Sequence, residues 1–200
     1  MSKSLTTGTP ASLGFCPDRT VGLMHVLQSE VASQRLPGAV ALIARHGQVL
    51  LHSSVGMQMP AVGKPMALDS IFRIYSMTKP VVSVAIMMLM ERGKLLLSDP
   101  VSKHLPEFAN VQVMAHVSGH AVLHHPKAAP TVQDLLRHTS GLTYEILGTE
   151  PIQKQYAQAR LASRERSNAE FSQALAAMPL MFEPGTTWEY SRATDLLGAL

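Results

Sequence analysis

Two segments of the chain have the apolar pattern of a helix: in the first, apolar residues recur every three or four positions and so share one face, and the second is apolar almost throughout. The first segment lies between Pro17 and Pro37. Its apolar positions are Val21, Met24, Leu27 and Val31. The second segment, residues 81–90, is almost wholly apolar. It predicts a buried helix over about residues 78–92 that ends at Gly93.

Two apolar runs that lack helical spacing precede the second helix. They cover residues 39–44 and 49–55, and the break between them, Arg45–Gln48, is polar and contains a glycine. Two such runs joined by a short polar break predict a β-hairpin. Residues 56–70, which contain two prolines, predict a loop.

The second half of the chain has the pattern of further helices. Thr131 and Asp134 have the spacing of an N-cap and the third residue of a helix, and we expect this helix to stop at Ser140–Gly141. The polar stretch 153–167 predicts an exposed helix, and residues 168–178 predict another.

The last residues, 196–200, are mostly apolar and have the pattern of a helix that is beginning. No capping glycine or polar tail follows them. A helix that ends at an apolar residue predicts that these 200 residues are the front part of a longer protein.

The composition is that of a globular protein, since 46% of the 200 residues are hydrophobic and 16% are charged. The longest apolar run, residues 80–90, is too short to cross a bilayer, so we expect no membrane span. Residues 1–20 lack the apolar core of a secretory signal, and the single cysteine, Cys16, cannot form an internal disulfide. Both observations favour a cytoplasmic location.

The charge pattern argues against nucleic acid as a partner. The formal net charge is +3, but lysines and arginines are scattered along the chain, with no run longer than a pair. Binding to nucleic acid requires a clustered basic face. The sequence indicates no particular oligomeric state.

Ser76 and Lys79 form an S-x-x-K tetrad where the second helix begins. Residues three apart share a helix face, so the Lys79 side chain can reach the Ser76 hydroxyl. A serine needs such a neighbour to act as a nucleophile. The unpaired N–H groups and the dipole of a first helical turn favour negative charge on the serine oxygen. We also expect burial to lower the pKa of Lys79, so that its neutral amine can accept a proton.

Three stretches, in the same order along the chain, resemble motifs of one superfamily. They are Phe72–Val81 around the serine, Leu135–Leu142, and Glu183–Ser191. They resemble the serine β-lactamases and penicillin-binding proteins, and within this superfamily the class C β-lactamases and the related family VIII carboxylesterases. The resemblance implies an α+β, β-lactamase-like fold, an α/β sandwich with an antiparallel sheet plus a mainly helical domain, incomplete at the C-terminus of these residues.

The same resemblance divides the chain into three parts. Residues 1–16 are expected to be a flexible N-terminus, and residues 17–80 the N-terminal part of the α/β domain with the nucleophile motif. Residues 81–200 are expected to form a mainly helical domain that ends at the tyrosine motif. The catalytic cleft is expected between the two domains.

The resemblance also implies roles for three side chains. Ser76 is the acylated nucleophile, Lys79 is its proton acceptor or electrostatic partner, and Tyr190 supplies the phenol that shuttles protons. A nearby ammonium makes a phenol a better base, so Lys79 and Tyr190 are expected to titrate together. Tyr144 either lines the acyl pocket or packs as an ordinary loop residue, and Tyr75 is expected to point away from the site. No cofactor and no metal are implied.

The tyrosine motif departs from the class C pattern. Those β-lactamases have Y-A-N, whereas this chain has Tyr190, Ser191 and Arg192, so the asparagine that helps hold a β-lactam amide is absent. With Asp195 nearby, the motif is more similar to that of the esterases. We therefore expect hydrolysis of small carboxylic esters through an acyl-serine intermediate. The alternatives are β-lactamase or D-alanyl carboxypeptidase activity, and a non-catalytic sensor or binding protein that is acylated without turnover.

The third motif of the superfamily, a K-T-G, H-G-G or W-G-G triplet, does not occur in the 200 residues. The strand that carries it would donate one of two N–H groups to the oxyanion, and Ser76 would donate the other. Loss of one such donor costs about 2.7–4 kcal/mol of transition-state stabilisation. We therefore expect these 200 residues alone to be nearly inactive.

Two histidine patterns suggest other chemistry. Three histidines recur every fourth residue, as metal ligands on a helix do, but the residues between them favour strands and a turn. They are His116, His120 and His124. His138 precedes Ser140 closely enough to suggest a triad, yet the G-x-S-x-G elbow is missing. We predict neither a metal site nor a histidine triad.

Overall fold

The computed structural model describes residues 5–117, 120–163 and 165–200. Its residues form two compact units that divide between Arg73 and Ile74. Helices and sheets both contribute, as an α+β fold requires. None of the helices in the described part of the chain has the length and apolar character needed to cross a membrane.

The first unit combines one helix with a small sheet. Its elements are β1 (Thr6–Thr7), α1 (Pro17–Ala32), β2 (Gly38–Arg45), β3 (Gln48–Met59) and β4 (Lys64–Pro65). Strands β2 and β3 pair antiparallel. The two short strands both pair with β3, β1 in parallel and β4 antiparallel. The helix predicted after Pro17 is therefore present, with proline in its first turn, where its missing N–H costs no hydrogen bond.

The hairpin predicted for residues 39–55 is confirmed. Its turn residues, His46 and Gly47, have φ of 52° and 73°, the left-handed conformation that a two-residue hairpin turn requires. The loop predicted over residues 56–70 is wrong at its start, because β3 continues to Met59 and a short 3-10 helix, Pro60–Val62, follows it.

The N-terminal residues take part in this unit. Besides β1, they form a short 3-10 helix, Ala11–Leu13, whose Leu13 is buried. The Arg45 guanidinium donates a hydrogen bond to the Leu13 carbonyl at 3.0 Å. The flexibility expected of residues 1–16 stays a prediction.

The second unit is mainly helical. Its helices are α2 (Thr78–Glu91), α3 (Val132–Arg137), α4 (Pro151–Gln158), α5 (Asn168–Ala176) and α6 (Ala193–Leu197). Short 3-10 helices cover Tyr75–Met77, Val101–Lys103 and Pro106–Asn110. Strands β5 (Val113–Val117) and β6 (His120–His124) pair antiparallel, which confirms the strands predicted around the three histidines. The turn predicted between them lies outside the described residues.

Helix α2 begins and ends where the sequence predicts, but it is not buried all round. One stripe packs into the core, with Ile86 only 3% exposed and Val82 and Leu89 partly buried. Val81 and Val84, on another face, are 63% and 59% exposed. An apolar run of ten residues cannot by itself show which of its faces a neighbour covers.

The remaining helices of the second unit also contribute to its core. Buried side chains come from each of them: Val132, Leu135, Ile152, Tyr156, Leu175, Leu196 and Leu197. Helix α4 was expected to be exposed, and this is wrong. Tyr156 is completely buried there, and its hydroxyl donates to the Pro179 carbonyl at 3.0 Å.

Helix α3 begins with the predicted cap, since Thr131 and Asp134 exchange the two hydrogen bonds of a capping box. It ends earlier than predicted. Arg137 is its last residue, and His138 adopts the left-handed conformation with φ of 57°. This early end places the His138 carbonyl and ring next to the segment that carries Tyr190.

Candidate active site

The second unit brings the three predicted site residues together. Ser76 lies on the 3-10 turn that leads into α2, and Lys79 is the second residue of that helix. Tyr190 lies in residues 187–191, which belong to no helix or strand. Its hydroxyl donates to Ser76 Oγ at 2.7 Å, and Lys79 Nζ lies 5.1 Å from the centre of its ring.

The backbone beside the serine is strained. Tyr75 has a φ of 45°, which is uncommon for a residue with a Cβ and is found most often in turns and at functional sites. This sharp bend leaves Ser76 exposed at the start of the turn. Tyr75 itself lines the same cavity as Ser76, and the direction expected for its side chain stays a prediction.

Lys79 is held by two neighbours other than the serine. Its Nζ donates to Tyr144 Oη at 3.0 Å and to Asp195 Oδ1 at 3.4 Å. The Tyr144 hydroxyl in turn donates to Asp195 Oδ2 at 2.9 Å. The three groups therefore close a hydrogen-bonded triangle, in which the lysine side chain is only 15% exposed.

The charge of Lys79 differs from the sequence-based expectation. Burial alone would lower its pKa, but the hydrogen bond with Tyr144 and the negative charge of Asp195 outweigh burial and raise the pKa to about 12. Lys79 is therefore an ammonium at neutral pH and cannot accept a proton from Ser76. Of the two roles that the resemblance allows, the geometry supports the electrostatic partner.

Tyr144 differs from Tyr190 in what surrounds its hydroxyl. Burial, together with the neighbouring charge of Asp195, raises the pKa of Tyr144 to about 12 despite the ammonium of Lys79. Tyr144 therefore keeps its proton and donates a hydrogen bond to Asp195. Tyr190, whose hydroxyl faces Ser76, is the phenol positioned to exchange a proton with the serine.

Arg192 stands where class C β-lactamases have asparagine, and carboxylates hold it on two sides. Its Nε donates to Glu145 Oε2 at 3.3 Å, and a second guanidinium nitrogen bonds the other oxygen of the same carboxylate. Its Nη1 donates to Asp195 Oδ2 at 3.4 Å, and the guanidinium lies 4.8 Å from the centre of the Tyr144 ring. Two cations, Lys79 and Arg192, are thus balanced by two carboxylates.

A cavity of about 500 Å³ opens above the serine. Half of its lining residues are aromatic or aliphatic, and three are charged. The residues are Tyr75, Ser76, Thr78, Lys79, Tyr144, Ile146, Ala162, Tyr190, Arg192 and Asp195. The volume falls in the range of sites for small organic ligands.

The other candidate residues lie elsewhere. Ser140 is 1% exposed, and the two ring nitrogens of His138 face Ser191 and Thr194 instead. The described parts of the chain contain no cluster of three or more His, Cys, Asp or Glu side chains arranged to hold a metal.

Sequence reasoning missed the function of Tyr144 and Asp195 in holding Lys79. From sequence alone, Tyr144 either lines the acyl pocket or packs as an ordinary loop residue. Asp195 serves there only to distinguish the esterases from the β-lactamases. A usable signal existed, because a lysine that is partly buried beside a nucleophile needs a counter-ion. Asp195, five residues after Tyr190, lies in α6, the helix that follows the tyrosine motif.

Comparison with known proteins finds relatives over most of the chain. Residues 23–200 match the model of the family described as Beta-lactamase. Esterase EstB of Burkholderia gladioli is 38% identical over 179 residues, which are 88% of this chain and 43% of that protein.

Solved structures show the same relationship. EstCE1, described as a hydrolase with promiscuous acyltransferase activity, superposes with a TM-score of 0.73 and 32% identity over 90% of this chain and 45% of its own. Simvastatin synthase (LovD) from Aspergillus terreus superposes with a TM-score of 0.71 and 29% identity over 90% of this chain and 46% of its own.

The chain thus spans less than half the length of each of these relatives. The likenesses confirm the predicted α+β fold of the β-lactamase type. Because the family model covers most of its residues and the match to EstB extends over 88% of its length, this chain belongs to the β-lactamase family.

Proposed function

We propose that the protein is a serine hydrolase that cleaves small carboxylic esters through an acyl-serine intermediate on Ser76. One observation carries the proposal: the Tyr190 hydroxyl lies 2.7 Å from Ser76 Oγ, with the Lys79 ammonium beside its ring. The arrangement supplies a nucleophile, a group that can take its proton, and a fixed positive charge next to both.

In the proposed acylation step, Tyr190 reacts as the phenolate, after releasing its own proton to solvent. As Ser76 Oγ bonds to the ester carbonyl carbon, its proton passes to the Tyr190 oxygen. The bond to the leaving alcohol then breaks, and the alkoxide takes that proton from Tyr190. The Lys79 ammonium keeps its proton throughout and stabilises the negative charge that the tyrosine oxygen carries before it takes the serine proton.

Deacylation uses the same groups in reverse order. A water molecule gives a proton to Tyr190 and attacks the acyl carbon, and the carboxylic acid leaves as the proton returns to Ser76 Oγ. An alcohol in place of water would give a new ester by the same route. Acyl transfer is therefore a second candidate function, favoured by the titles of EstCE1 and simvastatin synthase.

Three features support an ester as the substrate rather than a β-lactam. Relatives of this chain include a protein named as an esterase. Arg192 replaces the asparagine of class C enzymes, and its contacts with Glu145 and Asp195 occupy the guanidinium on two sides. The aromatic and aliphatic half of the cavity lining suits an uncharged acyl group.

The test is incubation of the 200-residue chain with p-nitrophenyl butyrate, followed by mass spectrometry of the Ser76 peptide. We expect release of one p-nitrophenolate per chain and a butyryl group on Ser76, with slow turnover afterwards because the third motif does not occur in these residues. Ser76→Ala should give neither product. A butyryl group on another residue in the wild-type chain would overturn the proposal.

The same experiment separates the alternatives. An acyl-serine that forms but never decays would favour the acylated sensor, and a new ester formed with an added alcohol would favour the acyltransferase. Faster hydrolysis of a chromogenic cephalosporin than of the ester would favour a β-lactamase.

Several expectations remain predictions under this proposal. They are the cytoplasmic location, the absence of nucleic-acid and cofactor binding, the division at residues 16/17 and 80/81, and a cleft between the two domains. The small-molecule ester as partner follows directly from the proposed chemistry.

A further inference from the structure

We propose that His138 is a positioning residue that holds Tyr190 against Ser76. The inference rests on the function proposed for Tyr190. His138 touches neither Ser76 nor the cavity above it, since its ring nitrogens face Ser191 and Thr194. It acts through the segment that carries the tyrosine.

That segment has no regular structure of its own to fix it. Residues 187–191 belong to no helix or strand, so the place of Tyr190 depends on hydrogen bonds to other parts of the unit. His138 provides two of them, one on each side of the tyrosine. The Glu189 N–H donates to the His138 carbonyl at 2.9 Å, and the Ser191 N–H donates to His138 Nδ1 at 3.2 Å.

The imidazole also contacts the tyrosine itself and the helix beyond it. Its ring centre lies 4.9 Å from that of Tyr190, at an interplanar angle of 41°. On the far side, His138 Nε2 lies 3.3 Å from the Thr194 hydroxyl on α6. One side chain therefore joins the tyrosine ring, the backbone after it and the next helix.

The backbone of His138 makes both contacts possible. Because α3 ends at Arg137 and His138 has a φ of 57°, its carbonyl leaves the helix and is free to accept from Glu189. Histidine and asparagine are among the few residues with a Cβ that enter this left-handed region readily. The position thus combines an unusual backbone with a ring that both accepts and donates.

The protonation state that this requires is neutral. Nδ1 must accept from the Ser191 N–H, so the proton of the neutral ring lies on Nε2 and points to Thr194. Burial lowers the pKa of His138 below its usual 6.5, and the charge of Lys79 on α2 adds to this, whereas Asp195 on α6 opposes it. The aromatic rings of Tyr190 and Trp188 also lie beside the imidazole.

Acid should therefore break the contact. Protonation places an N–H on Nδ1 opposite the Ser191 N–H, and two donors cannot bond each other. The folded-state pKa is depressed, so this stabilisation is complete above about pH 6.5 and is lost as the pH falls through the lower, folded-state value. His138 lies in Leu135–Leu142, one of the three stretches that resemble superfamily motifs. The role proposed for it is to position Tyr190 and not to take part in the reaction.

The test compares His138→Ala and His138→Asn with the wild-type chain. The asparagine amide oxygen can take the place of Nδ1, and asparagine tolerates the left-handed backbone, so this variant keeps the bond to Ser191. Thr194→Val removes only the bond at Nε2. His104→Ala is the matched control, because His104 is a partly buried histidine that bonds Asp99 away from the site.

The first readout is the ring resonances of tyrosine-labelled protein, which need no turnover. We expect His138→Ala to shift the Tyr190 resonance and to leave that of Tyr156, in the core, unchanged. His138→Asn and Thr194→Val should shift it less. Should His138→Ala fail to fold, the two milder variants decide the question by the same resonance.

The second readout is the rate at which an alkyl phosphonate labels Ser76. Misplacement of a catalytic group by about 1 Å costs roughly a hundredfold in rate, and we expect this loss in His138→Ala, with partial recovery in His138→Asn. Wild-type labelling should weaken in acid, and His138→Asn, which has no ring to protonate, should lose that part of the pH dependence. His104→Ala should match the wild type.

An unchanged Tyr190 resonance in folded His138→Ala would overturn the inference. A labelling rate in His138→Asn no better than in His138→Ala would also contradict it, since it would leave only a general structural role. If wild-type Ser76 were not labelled at all, the acyl-serine proposal would fail, while the tyrosine resonances would still report on positioning.

Discussion

Two lysine–aspartate pairs in the second unit differ in which partner is buried. In the pair formed by Lys103 and Asp99, 2.8 Å apart, the lysine is 54% exposed and the aspartate 8%. In the pair formed by Lys79 and Asp195, 3.4 Å apart, the lysine is 15% exposed and the aspartate 32%. The contacts of the more buried partner determine whether the pair has a structural role or a role in the proposed reaction.

At the first pair, the surroundings shift the pKa of the carboxylate. The Leu96 N–H, the Lys103 ammonium and the His104 ring all bond Asp99, and together they lower its pKa to about 2. These contacts connect Asp99 to Leu96 on one side and to Lys103 and His104 on the other, so we assign the pair a structural role. At the second pair the surroundings raise the pKa of the lysine to about 12, and its charge lies beside the ring of Tyr190, which bonds the proposed nucleophile Ser76. Similar chemistry thus supports the fold in one place and the proposed reaction in the other.

Removing the lysine of each pair should give the largest contrast. We expect Lys79→Met to slow phosphonate labelling of Ser76 by roughly a thousandfold, because the charge that stabilises the tyrosine oxygen is lost. Labelling is followed by intact-mass spectrometry. Lys103→Met is the matched control, and we expect it to label at the wild-type rate and to lower the melting temperature by no more than about 3 °C. Equal labelling rates in the two variants would contradict the comparison.

Breaking the bridge to Lys79 should have a smaller effect. Tyr144→Phe removes the hydroxyl that bonds both Lys79 and Asp195, so the pKa of Lys79 should fall below about 12. Loss of one such hydrogen bond corresponds to roughly a tenfold slower labelling of Ser76. The pKa is measured by NMR titration of the lysine side chain. A pKa that does not change in Tyr144→Phe would show that this hydroxyl does not hold the charge.

The structural pair should be visible only in stability. The folded-state pKa of Asp99, about 2, lies below its usual 3.8, so its contribution is complete above about pH 4 and is lost as the pH falls through about 2. We expect Asp99→Asn to melt several degrees below the wild type at pH 7 and to approach it in acid. Thermal unfolding across this pH range checks the prediction, and a difference that stays constant with pH would refute it.

The sequence predicted the elements that local patterns control. The hairpin, α2 and the capped start of α3 follow from spacing and from cap and turn residues that are close together in the chain. It did not predict that α4 is buried or that α2 is exposed on one face. Those properties depend on which distant segments cover a helix, as Pro179 does for Tyr156.

The same distinction applies to the site, where local motifs identified the residues but not the charge of Lys79. Ser76, Lys79 and Tyr190 could be named because each stands in a recognisable motif, and the structure places them together. Local patterns did not predict the charge of Lys79, because it depends on partners 65 and 116 residues away in the chain. The sequence-based expectation took only burial into account, and at this position burial is outweighed.

The most direct test of the central claim is the reaction of an alkyl phosphonate with the wild-type chain and with Tyr190→Phe, followed by peptide mapping. The account predicts one adduct on Ser76 in the wild type, formed at least about a hundredfold more slowly without the tyrosine hydroxyl. An adduct on any other residue, or labelling of Ser76 at the wild-type rate in Tyr190→Phe, would contradict it.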